Sequence, residues 1–187
     1  TFTFDSLPDA AGDLSFILYG RSDGSQSIDE VDIAINDDTT ASNYNRQNVQ
    51  GQVSGAAASV SVNRRLGQTI GDDADSNAFS SGLMSIQQHG LGVNDPHILT
   101  IGGGHSESST GNGACISVRS GRRNNVEKVT KVKWEPSDGT NFKAGSMMSA
   151  YHVPKLLLEQ KTITGDTASV TFTLSGLSIP SNVKDLR

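Results

Sequence analysis

Val31-Asp32-Ile33-Ala34-Ile35-Asn36-Asp37-Asp38-Thr39-Thr40 holds two signals back to back. Val31, Ile33 and Ile35 alternate with Asp32 and Ala34, the period of a strand with one buried and one outward face. The five residues that follow are side chains that hydrogen-bond their own backbone and so stop a strand and bend the chain. Working outward, the same grammar recurs. Phe2 and Phe4 alternate with threonines, and Leu14-Ser15-Phe16-Ile17-Leu18-Tyr19 follows a Pro-containing turn. Val60 and Val62, Ile98-Leu99-Thr100-Ile101, Ile116-Ser117-Val118-Arg119 and the partly alternating Val126–Trp134 supply further strands. Clusters such as Ser22-Asp23-Gly24-Ser25 and Gly102-Gly103-Gly104 punctuate them. Tyr44 to Val53 reads as one short helical turn, and Pro154 to Gln160 as a brief apolar link. Many short strands with polar turns predict an all-β, antiparallel β-sandwich of jelly-roll-like form.

Composition fits that class. The 187 residues are enough for one well-cored domain. Hydrophobic residues make up 34% and aromatics 5%, with 20 glycines, a mixture that suits two sheets sharing one thin core and not a helical bundle. The net charge of −5 offers no general basic surface, so nucleic acid is not an expected partner. No apolar run is long enough to span a membrane as a helix. The chain opens on Thr1 with neither Met nor a signal peptide, the mark of a processed product or of part of something longer. Cys115 stands alone in an alternating run, so no intrachain disulfide forms and the residue reads as a small core side chain.

An internal repeat is the most informative long-range feature. Thr1-Phe2-Thr3-Phe4-Asp5-Ser6-Leu7-Pro8 with Asp13-Leu14 returns as Thr171-Phe172-Thr173-Leu174-Ser175-Gly176-Leu177, then Pro180 and Asp185-Leu186. Two readings follow, besides coincidence between two amphipathic strands. Residues 154–187 are a linker and the first strands of a second copy, the preferred reading, or they are an arm exchanged with a neighbouring subunit. Either way residues 1–153 form the first sandwich.

The segment from Val31 to Gln47 resembles a pattern of tailed-bacteriophage virion proteins, in which an apolar strand ends in Asn-Gly-Asp-Thr before a small-residue loop and Asn-Tyr. Asn36, Asp38, Thr39, Asn43 and Tyr44 match, and Asp37 stands at the glycine position. Val129-Thr130-Lys131-Val132, then Asn141, Phe142, Gly145, Ser146 and Tyr151, resemble the family's closing strands, with Ala150 and His152 replacing its Leu and Gly. The resemblance covers both ends of residues 1–153. It implies a jelly-roll-like structural protein of the virion exterior, assembled in the host cytoplasm, without enzymatic activity or cofactor. Capsid decoration as a trimer and a projecting fibre or tail module are the two placements it implies, with other virion proteins and further copies of the chain as partners. The residues themselves suggest a mechanical role for this turn: Tyr44 folds back as a lid with its hydroxyl on a loop carbonyl, and Asp37 accepts left-handed backbone more readily than most residues.

Chemistry is weakly signalled. Asp73, Asp75 and Asn77 open a calcium-loop pattern that Ala78 and Met84 then break, which leaves a solvated acidic loop as the reading and those residues as weak metal candidates. The four histidines lie on separate segments, and Gly102–Gly104 reads as a flexible loop. Arg119-Ser120-Gly121-Arg122-Arg123 reads as a polar hairpin tip or as an interface contact, with Arg64 and Arg65 as a smaller interface candidate. A host surface glycan is the alternative partner. That reading needs an exposed aromatic platform from Trp134, Tyr19, Tyr44 or Tyr151.

Overall fold

The computed structural model describes residues 1–7, 12–52, 55–74, 77–87, 95–105 and 114–153, and every element below lies within them. Eleven strands follow in order: β1 (Phe2–Phe4), β2 (Asp13–Gly20), β3 (Ile28–Ile35), β4 (Tyr44–Gln52), β5 (Gly55–Ser61), β6 (Arg65–Ile70), β7 (Ser80–Gln87), β8 (His97–His105), β9 (Ala114–Arg123), β10 (Val132–Pro136) and β11 (Met147–Val153). Helix among the described residues is a single 3-10 turn, Ala41–Asn43. One sheet has four strands in the order β1-β10-β3-β6, the other seven in the order β11-β2-β7-β8-β9-β4-β5. All strand pairs are antiparallel. The pairs β2–β11, β3–β10 and β4–β9 nest inside one another, as in a long hairpin rolled up, so the protein is a β-sandwich of jelly-roll-like form.

Alternation fills the space between the sheets. Val31, Ile33 and Ile35 of β3 meet Leu14, Phe16 and Leu18 of β2 and Met84 and Ile86 of β7 in one buried cluster. Trp134 lies fully buried at its centre, its ring edge-on to Phe16 with centroids 5.7 Å apart. Phe2, Phe4 and Leu7 close the core from the β1 edge. Phe142, from the closing segment, packs on Phe2 with ring centroids 4.8 Å apart.

Several local expectations are corrected. The stretch expected to hold a helical turn from Tyr44 is strand as far as Gln52, hydrogen-bonded on both sides, to β9 and to β5. Gly102–Gly104 is the interior of β8, not a flexible loop. A side-chain carbon at Gly103 would sit 2.7 Å from the Cys115 carbonyl oxygen, so glycine is what allows β8 and β9 to approach there. Arg119–Arg123 belongs to β9 and is no hairpin tip. Of Val126–Trp134 only Val132 onward is strand, because Asn36 ties down the backbone of the preceding residues. Residues 154–187, on which the second-copy and exchanged-arm readings fall, lie outside the described residues.

Candidate interaction face

The Asn36–Tyr44 turn shows what its residues are for. Asn36 and Asp37 both adopt left-handed backbone, φ 51 and 62. The Asn36 side chain accepts from the Thr130 and Lys131 N–H groups at 2.9 and 3.1 Å and donates to the Lys128 carbonyl at 2.7 Å. Tyr44 is fully buried, and its hydroxyl donates to the Asp38 carbonyl and accepts from the Ile35 N–H, each at 3.0 Å. Asp38 accepts from the Thr40 N–H, the Asn43 amide and the Arg123 guanidinium. Thr39 is exposed. Each of these contacts is internal, so the turn holds the fold. Tyr44→Phe leaves the buried Ile35 N–H without its acceptor, and urea denaturation should record a loss of about 1–3 kcal/mol.

Acid sensitivity follows from the same turn. Burial would raise the Asp38 carboxyl, but hydrogen bonds from Asn43, Thr40 and Arg123 outweigh it and hold the group at about 2. Asp23, which ties its own loop to Thr140 and Asn141, is also lowered to about 2, chiefly by the Asn141 backbone N–H. Both folded values lie below the ordinary 3.8, so their contribution is complete above about pH 4 and lost as pH falls toward 2. Thermal melts between pH 5 and pH 2 should show that decline, with Asp38 accounting for on the order of 2 kcal/mol and Asp38→Asn flattening the curve.

The basic residues divide by burial. Arg119 is wholly buried and Arg123 is 4% exposed, which corrects their assignment as contacts with another subunit. The reason is a carboxylate the sequence did not mark. Glu30 accepts from Arg46 at 2.8 Å and pairs with Arg119 at 2.9 Å through one oxygen, and with Arg65 at 3.0 Å through the other. Arg119 also donates to the Arg65 and Gly67 carbonyls, stitching β9 to β6. Burial would raise Glu30, but the three arginines prevail and hold it below the usual carboxylate range. Burial brings Arg119 down to about 10, so it remains charged at neutral pH. Arg123 is taken up by Asp38 and Glu127. Arg64 is largely covered and joins Asp32 and Glu135. Arg65 and Arg122 stay at the surface, Arg122 beside Asp95.

The remaining candidates do not converge. Asp73 and Asn77 are exposed, and Asp75 lies outside the described residues. Among the described residues no group of three His, Cys, Asp or Glu side chains is placed to hold a metal ion. Burial raises the Cys115 thiol, which donates to Gln68 at 3.3 Å. Gly145, at φ +90, and Ser146, bonded to both backbone groups of Arg21, shape the turn before β11. Asn141 and Tyr151 are exposed.

What the structure does assemble is the outer face of the seven-stranded sheet. One row, in register from β11 to β5, reads Ser149, Ile17, Leu83, Ile101, Val118, Val49, Ala58. Its five aliphatic side chains are 43–60% exposed. The row on one side reads Met147, Tyr19, Ser81, Gly103, Ile116, Gly51, Ala56, and on the other Tyr151, Ser15, Ser85, Leu99, Ser120, Gln47, Val60. None of these positions is charged, in a chain of which 19% of residues are. Among the described residues charge returns at the rim, with Asp13 and Arg122. The missing side chain at Gly103 opens a trough of about 780 Å³ among Ile17, Phe79, Leu83, Ile101 and Ile116. Tyr19 stacks on Phe79 nearby, centroids 4.8 Å apart and planes 8° from parallel.

No protein-family model, no curated protein and no solved structure matches the chain. The neutral face therefore rests on its own geometry. Sheets in water normally present polar residues outward, and a contiguous exposed apolar patch marks an interaction surface. β5 extends this surface as an edge strand exposed on both faces, rich in Ala and Ser.

Proposed function

We propose that the chain is a non-enzymatic structural subunit of the exterior of a tailed-bacteriophage virion, either capsid decoration or a projecting fibre or tail module. The observation that carries the reading is the neutral face. A buried network that rigidifies a sandwich, together with one broad uncharged face, suits a protein that works by shape and contact. The occupant of the face is a second copy of the chain. Copies carrying −5 each repel one another, and this face lets two sheets pack without opposing like charges. A two-fold contact would place each aliphatic row against its own counterpart, with a side chain of one copy entering the Gly103 trough of the other.

The resemblance of the Asn36–Tyr44 and Asn141–Tyr151 segments to virion proteins supports the virion reading and leaves head and tail as its two locations. Immunogold electron microscopy with antibody against residues 1–153 tests it. Label over the head supports decoration, label on the tail or its fibres supports the projecting module, and particles without label overturn the virion reading. The stacked Tyr19–Phe79 pair beside the trough favours a second reading, a glycan-binding module of a fibre. Trp134 and Tyr44 are excluded from such a platform by burial. Glycan binding abolished by Tyr19→Ala in a folded protein would establish that alternative.

A further inference from the structure

We infer that β5 pairs edge to edge with β5 of a second copy, antiparallel about a two-fold axis at Ala58, so that two seven-stranded sheets run on as one. The inference rests on the reading of the chain as an assembly subunit, through a contact separate from the packing of neutral faces. A strand at the edge of a sheet offers a row of N–H and C=O groups to any chain that reaches it. Soluble proteins guard such rows with charge, proline, bulges, short strands or a covering segment. The four-stranded sheet is guarded at both of its edges. β1 is only three residues long. On β6 the Arg65 carbonyl accepts from Arg46 at 2.8 Å and from Arg119 at 2.9 Å, and the Gly67 carbonyl from Arg119 at 3.0 Å.

β5 carries none of these guards. Gly55-Ala56-Ala57-Ala58-Ser59-Val60-Ser61 is seven residues without charge or proline. It pairs with β4 residue for residue, from Gln52 opposite Gly55 to Arg46 opposite Ser61, with no bulge. Its other edge meets no described strand. Every residue from Gly55 to Val60 is exposed, Val60 at 77%, so neither face of the strand is covered. The occupant follows from self-complementarity. About an axis at Ala58, Ala58 faces its own copy, Ala57 faces Ser59, Ala56 faces Val60 and Gly55 faces Ser61, so the whole strand takes part. Opposed side chains are small and neutral, which lets two chains of net charge −5 approach without setting like charges across the ladder. A foreign peptide would be held by backbone alone along Ala56, Ala57 and Ala58, which give its side chains little to grip. A second copy adds more. Ala56, Ala58 and Val60 lie in the neutral rows, so the pairing carries those rows from one copy into the next.

Disulfide trapping on the full chain tests this. Directly opposed residues of an antiparallel pair have Cα atoms about 4.5–5.5 Å apart, within the span of a disulfide. Ala58→Cys should therefore link to itself. Thiols held together react at a raised effective concentration, so covalent dimer on a non-reducing gel should exceed that of the exposed-turn control Thr39→Cys by roughly tenfold or more. The native Cys115 is buried and does not compete. Ala57 and Ser59 are exposed on the side of β5 away from the neutral rows. Adding Ala57→Lys and Ser59→Lys sets lysine opposite lysine across the ladder and should return the dimer to the control level, with circular dichroism unchanged. No excess over the control, or a dimer that survives the two lysines, would overturn the inference. Adding Ile101→Lys to Ala58→Cys separates the two contacts. The cross-link should persist, and its loss would mean that it only reported packing through the neutral face. Conversely, a cross-link in a protein whose mass under reducing conditions is indifferent to Ile101→Lys would sink the face while leaving the edge pairing standing.

Discussion

Glu30→Gln lowers the unfolding free energy by about 3–5 kcal/mol, read as a shift of the urea midpoint at unchanged slope. The substitution keeps the shape, removes one negative charge and turns one acceptor oxygen into an NH2 donor that faces a guanidinium, so packing is nearly untouched while the charge and a hydrogen bond are lost. What is left is three guanidinium groups facing a neutral amide. Arg119 cannot regain water, since no part of it reaches solvent, and Arg46 is only 8% exposed. An uncompensated buried cation is among the most costly single changes a domain can suffer. The same reasoning gives a repair. Arg119→Met in the Glu30→Gln background removes the buried charge and should recover a large part of the loss, a coupling that additive sites would not show. A loss under about 1 kcal/mol for Glu30→Gln would mean that the network is better hydrated than its burial indicates.

Trp134→Ala costs about 3–5 kcal/mol, the cost of a large core side chain that its neighbours cannot fill. The ring is fully buried, flanked by Phe2 and Ile33 across the four-stranded sheet and by Phe16 from the sheet opposite. Among the described strands β1 is paired with this one alone, so the cavity would also loosen that edge. Trp134→Phe should be far milder, because it keeps most of the ring and removes a buried indole N–H that has no hydrogen-bond partner among the described residues. Thermal unfolding followed by near-ultraviolet circular dichroism distinguishes the two. Equal losses for Ala and Phe would contradict the packing argument.

The fold was legible where strands alternate. Val31, Ile33 and Ile35 point inward as their period requires, and the Asn36–Thr40 cluster bends the chain where its side chains can cap the backbone. Tyr44 as a lid on a loop carbonyl could be reasoned from residue types alone, because a buried phenol needs a partner and a polar turn supplies one. The arginines could not. Arg119 and Arg122 lie in the same strand and look alike in sequence, yet one points between the sheets and the other outward, and only the register of β9 separates them. Glu30 gave no signal, since its partners come from β4, β6 and β9, far along the chain. The neutral face did leave a trace. Leu14-Ser15-Phe16-Ile17-Leu18-Tyr19 and Ile98-Leu99-Thr100-Ile101 are apolar at consecutive positions, which means apolar on both faces of a strand. That those outward residues align in one row is a fact of pairing, and pairing is what a single sequence hides.

The most direct test of the neutral face as the contact between copies is sedimentation equilibrium of the full chain beside its Ile101→Lys variant, over a range of concentrations and with folding checked by circular dichroism. Ile101 sits at the centre of the aliphatic row, and a lysine there sets two like charges opposite each other in a two-fold contact. The predicted result is a wild-type mass that rises to a multiple of 19.7 kDa and an equally folded variant whose association is weakened at least thirtyfold, about 2 kcal/mol. A wild-type protein that stays at 19.7 kDa at every concentration, or one whose association is indifferent to the lysine, would contradict the account.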